Sequence, residues 1–229
     1  MTNIKLSKRL SVIASFVSNN AIIADIGCDH ALLDIYLSKN NIIKKSFAID
    51  ITKGALNQAD KNIKLYNVKN IETRLSDGFK KIDIKDNVDT VIMSGLGDAK
   101  IISILKEAEE KLDKVNNIII QSNVGVSNIR KFLTNNNYYY YIDNEKLVKE
   151  NNIIYTVISF KKGYKRYTKK EIEYGPVLLR NKDELFNELI INKISKNNYV
   201  INKLPKNKLL KKISLKINNY NLKKEMIQM

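Results

Sequence analysis

Apolar and polar positions alternate along the first two thirds of the chain in a pattern that switches between strand spacing and helix spacing. An apolar residue recurs every three or four positions over residues 6–17 and predicts a first helix. Predicted strands then cover residues 21–26, 46–51, 71–75, 88–94 and 116–122, and predicted helices cover residues 31–39, 53–66, 98–112 and 126–135. This alternation indicates parallel strands with right-handed crossovers, which is a doubly wound α/β sheet.

The end of this α/β region follows a different pattern. Residues 138–143 and 152–160 alternate around a charged connector and predict an antiparallel hairpin at the edge of the sheet, which makes about seven strands. Tyrosines are frequent in half-buried strands, so we interpret the tyrosine run 138–141 as sheet packing. A platform for stacking nucleobases is the alternative.

After Gly163 the strand pattern stops and helical spacing begins. Residues 183–203 and 209–222 each carry an apolar stripe, and Pro205 separates them. The stripe of the second helix consists of Leu209, Leu210, Ile213, Ile217 and Leu222. We therefore predict an α/β domain over residues 1–162 and a helical hairpin, similar to a coiled coil, over residues 163–229. The stripes could pack on each other, on the α/β domain or on another chain.

The charge of the chain is unevenly distributed. The sequence carries 40 Lys+Arg and 24 Asp+Glu, a net charge of +16. Residues 163–229 hold 16 basic and 6 acidic residues, a net +10, which leaves 24 and 18, a net +6, for residues 1–162. Such a concentration indicates a polyanionic partner, and nucleic acid is the first candidate. A merely lysine-coated surface is the alternative.

Composition excludes several classes of protein. Cys28 is the only cysteine, so no intramolecular disulfide can form, and a reducing, cytoplasmic location is expected. One cysteine and one histidine are too few for a typical zinc site, so we predict no metal. No apolar run approaches the roughly 20 residues of a membrane span, and the N-terminal residues lack the apolar core of a signal peptide.

Polar and glycine residues follow the predicted strands at the end where ligands bind in open α/β sheets. These positions are Asp25, Gly27 and Asp29 after the first strand, Asp50 after the second, Asp77 and Gly78 after the third, Ser94, Gly95, Gly97 and Asp98 after the fourth, and Gln121, Ser122 and Asn123 after the fifth. Because parallel strands end at the same edge of a sheet, we expect one ligand site there.

The residue types favour a cationic nucleoside as the ligand. The Asp50 carboxylate could accept both hydroxyls of a ribose, and Gly27 would let the backbone approach the ligand closely. Asp29 would repel a diphosphate but attract an amino group or a sulfonium ion. S-adenosylmethionine (AdoMet) therefore fits better than NAD. Taken singly, Asp50 could be a satisfied polar group and His30 a packing residue at a helix start.

Six segments, in their order and spacing, resemble one family. They are LSKRLSVIASFV, ADIGCDHALL, LSDGF, VIMSGLG, IIIQSNVGVSNIR and EIEYGP. Together they are similar to the bacterial tRNA (adenine-22-N1)-methyltransferase family, TrmK, over essentially the whole chain. The resemblance implies a class I, AdoMet-dependent enzyme that methylates N1 of an adenine in the D-loop region of tRNA. It also implies that the helical hairpin holds the tRNA.

The resemblance and the charge pattern together give a set of predicted site residues. The cofactor-binding residues are Asp25, Gly27, Cys28, Asp29, His30, Asp50, Ile51, Asp77, Gly78, Ser94 and Gly95. The tRNA-binding residues are Leu96, Gly97, Asn123, Arg130, Lys211 and Lys212. Asp29 and Asn123 are the catalytic candidates, Asp29 to stabilise a cationic product and Asn123 to hold the base.

Some positions depart from the family pattern. Leu32 replaces a tyrosine, Asp98 replaces a glycine, and Gly125 and Asn128 stand where histidines are frequent. These departures affect residues expected to bind and orient the target base. Two other readings therefore stay open, a class I methyltransferase with another RNA or small-molecule acceptor and a weakly active tRNA-binding protein. A monomer is favoured.

Overall fold

A seven-stranded mixed sheet forms the centre of the protein, in the order β3-β2-β1-β4-β5-β7-β6. The computed structural model describes residues 4–135, 138–205 and 207–226. The strands are β1 (Ala21–Ile26), β2 (Ile43–Asp50), β3 (Ile71–Leu75), β4 (Thr90–Leu96), β5 (Asn117–Ser122), β6 (Tyr140–Glu150) and β7 (Ile153–Lys162). Strands β1 to β5 are parallel, and β7 lies antiparallel between β5 and β6. The predicted doubly wound α/β fold with about seven strands is confirmed.

The helices connect these strands or follow them. They are α1 (Lys8–Ala14), α2 (Leu32–Lys39), α3 (Lys53–Leu65), α4 (Asp98–Glu107), α5 (Val126–Leu133), α6 (Lys169–Tyr174), α7 (Pro176–Asn181), α8 (Glu184–Lys203) and α9 (Leu209–Glu225). The helix predicted over residues 98–112 ends early, because a 3-10 helix over Glu109–Lys114 follows α4. Gly97 is the N-cap of α4, and Asp98 is its first helical residue.

Burial explains why the central strands form this sheet. All six residues of β5 are buried, and the neighbouring β1 is buried at five of its six positions. Strands covered on both faces by helices consist of continuous apolar runs, as NIIIQS and AIIADI largely do. Ile23, Ile92 and Ile119 belong to one core cluster. Because the middle of the sheet is apolar, its polar residues collect at the strand ends.

The chain divides into two compact units, Met1–Gly175 and Pro176–Met229. The division lies 13 residues after the boundary predicted at residue 162. Residues 163–175 belong to the first unit because they bond to it: the Gly163 amide donates to the Tyr139 carbonyl (2.6 Å), and the Tyr167 hydroxyl accepts from the Ile142 amide (2.8 Å). The parts of the predicted domains at residues 1–3, 136–137, 206 and 227–229 lie outside the described residues.

The second unit contains the predicted pair of long helices, α8 and α9. Asn219 of α9 is buried and bonds to both Asn197 and Asn198 of α8, at 2.8 Å each. Leu222 is buried on the same side of α9, as predicted. The other members of the predicted stripe, Leu209, Leu210, Ile213 and Ile217, are exposed. Contact between the two helices therefore includes a polar residue, Asn219, that the stripe did not contain. Within the described residues, no helix is long and apolar enough to cross a membrane.

Candidate active site

The loop after β1 is bonded to the end of β2. The amides of Gly27 and Cys28 both donate to the Ile49 carbonyl, at 2.8 and 3.0 Å. Gly27 has a φ of +81°, a conformation that suits glycine because a Cβ atom would be strained there. Asp29 and Ala31 also have positive φ values, +53° and +54°, and form the turn into α2. The loop is therefore held in one shape at the edge of the sheet.

The carboxylate of Asp50 supports this loop from β2. Its Oδ2 accepts from the Asp29 amide (3.3 Å), and its Oδ1 accepts from the amide and the hydroxyl of Thr52 (2.8 and 2.9 Å). Thr52 is in turn the N-cap of α3. Asp50 is half-buried, so one side of the carboxylate faces the cavity described below. Its orientation is fixed before any ligand arrives.

A fully buried glutamine organises the ends of β4 and β5. Gln121 Oε1 accepts from Arg9 Nη1 (2.5 Å), the Ser94 hydroxyl (3.1 Å) and the Gly95 amide (3.1 Å). Its Nε2 donates to Asn123 Oδ1 (3.2 Å), and Asn123 Nδ2 donates to the Gly95 carbonyl (2.7 Å). This network fixes the backbone of Ser94 and Gly95 beside the exposed Asn123.

Arg9 is a site residue that the sequence analysis missed. It extends from α1 to the network, where its Nη1 donates to Gln121 and Ser94. Its guanidinium lies 5.4 Å from the centre of the Tyr155 ring, and its Nε lies 3.8 Å from Glu150 Oε2. The sequence did point to this helix, because the segment LSKRL is among those that resemble the family. The spacing of apolar residues, however, predicted only a buried face for the helix and no role for Arg9.

A cavity of about 350 Å³ lies at the carboxyl ends of β1, β2 and β4. This volume is near the lower end of the roughly 300–1,000 Å³ typical of small-molecule sites. Nine predicted site residues line it: Asp25, Gly27, Cys28, Asp29, His30, Asp50, Ser94, Gly95 and Leu96. Arg9, Leu10, Leu32 and Leu33 complete the lining.

Among the described residues, no group of three or more His, Cys, Asp or Glu side chains is placed to hold a metal ion.

Other predicted cofactor residues lie outside the lining of this cavity. Ile51 follows Asp50 and is 63% exposed. The two oxygens of Asp77 each bond to a lysine, Lys100 and Lys80, at 2.8 Å. These two hydrogen bonds lower the pKa of Asp77 to about 2. The Asp77 carboxylate is therefore already engaged.

Gly78 and Gly97 also stand outside this lining. Gly78 has a φ of +59°, and a Cβ atom there would lie 3.1 Å from the side chain of Ile104. Gly97 continues the loop after Leu96 as the N-cap of α4. Both glycines therefore shape the backbone next to the cavity.

Arg130 was predicted to contact tRNA, and its burial contradicts that prediction. Only 2% of the residue is exposed, and its Nε lies 2.7 Å from Oε1 of the buried Glu145. Its Nη1 donates to the carbonyls of Ile172 and Glu173, at 3.2 Å each. Arg130 therefore joins α5, β6 and α6. The remaining predicted tRNA contacts, Lys211 and Lys212, belong to α9 of the second unit.

Two buried carboxyl groups meet at the back of the cavity. The pKa of Asp25 is raised well above its usual value by burial, and further by the charge and the hydrogen bond of Asp34. Burial also raises the pKa of Asp34, whose Oδ1 accepts from the Ser46 hydroxyl. The pair therefore favours a shared proton over two negative charges. The pKa of the Cys28 thiol is raised, chiefly by burial and then by these carboxylates, so it stays neutral.

Three departures from the family pattern contact one another beside the site. Asp98 Oδ2 accepts from Asn128 Nδ2 at 2.6 Å. A Cβ atom built on Gly125 would lie only 2.0 Å from the same oxygen, so the glycine makes room for the aspartate. The three residues consequently form one substituted cluster between the starts of α4 and α5, and Leu32 is a separate departure.

The sheet order and the cavity at its strand ends define a class I methyltransferase, a class that takes its methyl group from AdoMet. The chain belongs to the family described as tRNA (adenine(22)-N(1))-methyltransferase, TrmK, whose model matches residues 23–227. It is 30% identical over 193 residues to the tRNA (adenine(22)-N(1))-methyltransferase of Bacillus subtilis, a match covering 81% of this chain and 80% of that protein.

Two solved structures are similar over nearly their whole length. One is M. capricolum TrmK in complex with S-adenosyl-homocysteine, with a TM-score of 0.84 and 33% identity over 96% of each chain. The other, from Streptococcus pneumoniae, is in complex with S-adenosyl-L-methionine. It has a TM-score of 0.89 and 26% identity, covering 97% of this chain and 100% of that chain. The predicted family and the predicted cofactor, AdoMet, are confirmed.

Proposed function

We propose that this chain transfers the methyl group of AdoMet to N1 of the adenine at position 22 of tRNA. The observation that carries the proposal is the cavity at the ends of β1, β2 and β4, in which a fixed carboxylate, Asp50, lies across from the Ser94–Gly95 turn. Family membership supplies the acceptor, since the Bacillus subtilis relative is named for adenine 22 of tRNA.

The residues of the cavity suit the cofactor. Asp50 is placed to accept the ribose hydroxyls, and the exposed Asp29 to attract the cationic part of AdoMet. Gly27 lets the ligand approach the backbone, and Ile51 offers an apolar contact beside it. Asp77 and Gly78 would meet the adenine end through their backbone, because the Asp77 carboxylate is held by Lys80 and Lys100. When bound, AdoMet supplies an electrophilic methyl group on its sulfonium.

Methyl transfer to adenine N1 depends mainly on the alignment of the base with the methyl group. Adenine N1 has a lone pair in the plane of the ring, so no proton must be removed before methyl transfer. Catalysis then depends on positioning and on electrostatic stabilisation as positive charge moves from sulfur to the base. The base has to leave its stack to reach the cavity. We assign its binding to the loop from Ser94 to Gly97 and to Asn123.

Asn123 is best described as a positioning residue in the absence of substrate, because both ends of its amide are bonded within the Gln121 network. Its exposed face could still read the N6 group of adenine. Asp29 is the candidate that would stabilise the cationic product. A general base is not required.

The direct test is incubation with AdoMet and tRNA followed by mass spectrometry of the nucleosides. We expect one added methyl group on N1 of adenine 22 and none on a tRNA that carries guanine there. Equal methylation of free adenosine would assign a small-molecule acceptor. Binding of tRNA without any methylation would assign a binding protein of the same fold.

The second unit is proposed to hold the tRNA. Lys211 is exposed on α9, next to the partly buried Lys212, and neither forms an ion pair among the described residues. Residues 163–229 carry the net +10 noted above. The first unit would then perform the chemistry and the second would supply affinity. We expect the enzyme to act as a monomer in the cytoplasm.

A further inference from the structure

Another cavity lies at the far end of α5 in the first unit, and it shares no lining residue with the AdoMet cavity. It has a volume of about 300 Å³ and is lined by Lys131, Thr134 and the segment Tyr164–Tyr167. Three of its side chains are cationic and two are aromatic. We call it the α5 pocket. Nothing in the chemistry described above uses it.

The cations of the α5 pocket are exposed and available to a ligand. Among the described residues, Lys131, Lys165 and Arg166 form no ion pair. The pKa of the nearby Glu171 is lowered chiefly by the hydrogen bonds that its carboxylate accepts from the amide (2.8 Å) and the hydroxyl (2.9 Å) of Thr168, and less by the charge of Lys165. Three unpaired positive charges around one concave surface attract an anion.

The segment that carries these side chains is held in place. Tyr167 anchors it, since its hydroxyl accepts from the Ile142 amide at 2.8 Å. Within the segment, Arg166 Nε donates to the Tyr164 hydroxyl at 3.0 Å. Tyr164 is 54% exposed and Arg166 is also exposed, so an aromatic side chain and a guanidinium group are accessible side by side. An anionic group joined to a flat ring is the chemistry of a nucleotide.

Helix α5 connects this pocket to the active site. The helix begins at Val126, three residues after Asn123, and ends at Leu133, two residues after Lys131. Its eight residues span about 12 Å at roughly 1.5 Å per residue. A few nucleotides of an RNA strand cover such a distance.

We propose that the α5 pocket binds a nucleotide of the substrate tRNA that flanks the target adenine. Its phosphate lies against Lys131, Lys165 and Arg166, and its base stacks on Tyr164. The proposal rests on the proposed function for the identity of the RNA. It assigns to the methyltransferase unit an RNA contact of its own, in addition to the contact proposed for the second unit.

The first test reverses two charges of the pocket, Lys165→Glu with Arg166→Glu. The matched control is Lys61→Glu with Lys64→Glu on α3, which changes the net charge equally at exposed positions of the same unit. We expect the pocket variant to bind tRNA at least about tenfold more weakly, the lower bound for losing a hydrogen bond to a charged group. The control and the AdoMet affinity of both proteins should stay within twofold of wild type.

The salt dependence supplies a second readout of the same variants. The log–log slope of tRNA affinity against salt should become shallower by roughly 0.7–0.9 for each phosphate contact removed. If the reversed protein folds poorly, Lys165→Gln with Arg166→Gln gives the same readout with side chains of similar length. A pocket variant with the tRNA affinity and salt slope of the control overturns the proposal.

Tyr164 separates stacking from charge. Tyr164→Ala should weaken tRNA binding roughly 5- to 150-fold, whereas Tyr164→Phe keeps the ring and most of the affinity. Equal affinities for Ala, Phe and wild type would remove the base from this pocket. Because tRNA binding is measured without AdoMet, these results are distinct from a failure of the proposed methylation, which the nucleoside assay reports.

Discussion

Asp34 places a second carboxyl group next to Asp25, behind the cofactor cavity. An acid whose pKa is higher in the folded than in the unfolded protein binds its proton more tightly when folded. The free energy of unfolding therefore falls as the pH rises from about 3.9, the unfolded value, through the folded pKa. At neutral pH the pair therefore lowers the free energy of unfolding, while a shared proton keeps a hydrogen bond between Asp25 and Asp34.

Replacing one member of the pair should relieve this cost. In Asp34→Asn, the amide can accept from Ser46 and donate to Asp25, so the buried repulsion disappears while the bonds are kept. We expect the variant to gain stability relative to wild type at pH 7–8 and to lose that advantage towards pH 4–5. Urea denaturation over this pH range measures it. A constant difference at every pH would show that the two carboxyls share no proton.

Asp50 and Asp77 both follow strands, but their surroundings predict different contributions to AdoMet binding. Asp50→Ala should weaken binding by about 1.5–3 kcal/mol, the range for hydrogen bonds to a charged group. Asp77→Ala should have a smaller effect, because the Asp77 carboxylate bonds to Lys80 and Lys100. Titration calorimetry compares the two variants, and equal losses would argue against the ribose assignment of Asp50.

At the scale of elements, the starts of α4 and α5 depend on one another through Asp98 and Gly125. Gly125→Ala places a Cβ where the Asp98 carboxylate lies, at a φ of +65° that strains any side chain. We expect destabilisation of about 1–3 kcal/mol from backbone strain alone, with the clash in addition. Asp98→Gly should restore part of the loss, so the two changes are non-additive in a double-mutant cycle of thermal unfolding. Strict additivity would contradict the contact.

The strands and their ends could be predicted because each depends on local sequence. Apolar runs define β1, β2 and β4, and Asp25, Asp50 and Ser94 lie near or at their carboxyl ends. Because parallel strands end at one edge, nine predicted residues came together in the cavity without any knowledge of their contacts.

The failures concern long-range partners and short elements. Arg130 looked like a surface cation because its partner, Glu145, lies on a different element, β6. The helix Lys169–Tyr174 has only six residues, too few for a periodic pattern, and its bonds to Arg130 place it in the first unit. On α9, the spacing of apolar residues did not say where the stripe packs, and it gave no sign of the asparagine network with α8.

At the scale of the whole molecule, affinity for tRNA is expected to be separable from chemistry. Lys211→Glu with Lys212→Glu should weaken tRNA binding and make its salt dependence shallower by about 0.7–0.9 per lost phosphate contact, while AdoMet affinity stays unchanged. Filter binding over a range of salt concentrations measures both quantities. Lys61→Glu with Lys64→Glu on α3 is a matched control for net charge at exposed positions of the first unit. Identical curves for the reversed and wild-type proteins would place the basic tRNA surface elsewhere.

The position of β7 between β5 and β6 has a consequence for the order in which the protein is made. Every residue that lines the AdoMet cavity has been synthesised once Leu96 is complete. Strand β5, however, gains its outer neighbour only after the ribosome has passed Lys162. Until then a nascent chain presents the bare edge of a wholly buried strand, NIIIQS, and such edges recruit other strands. The edge of β5 is therefore open to unwanted strand pairing from the synthesis of Ser122 until that of Lys162.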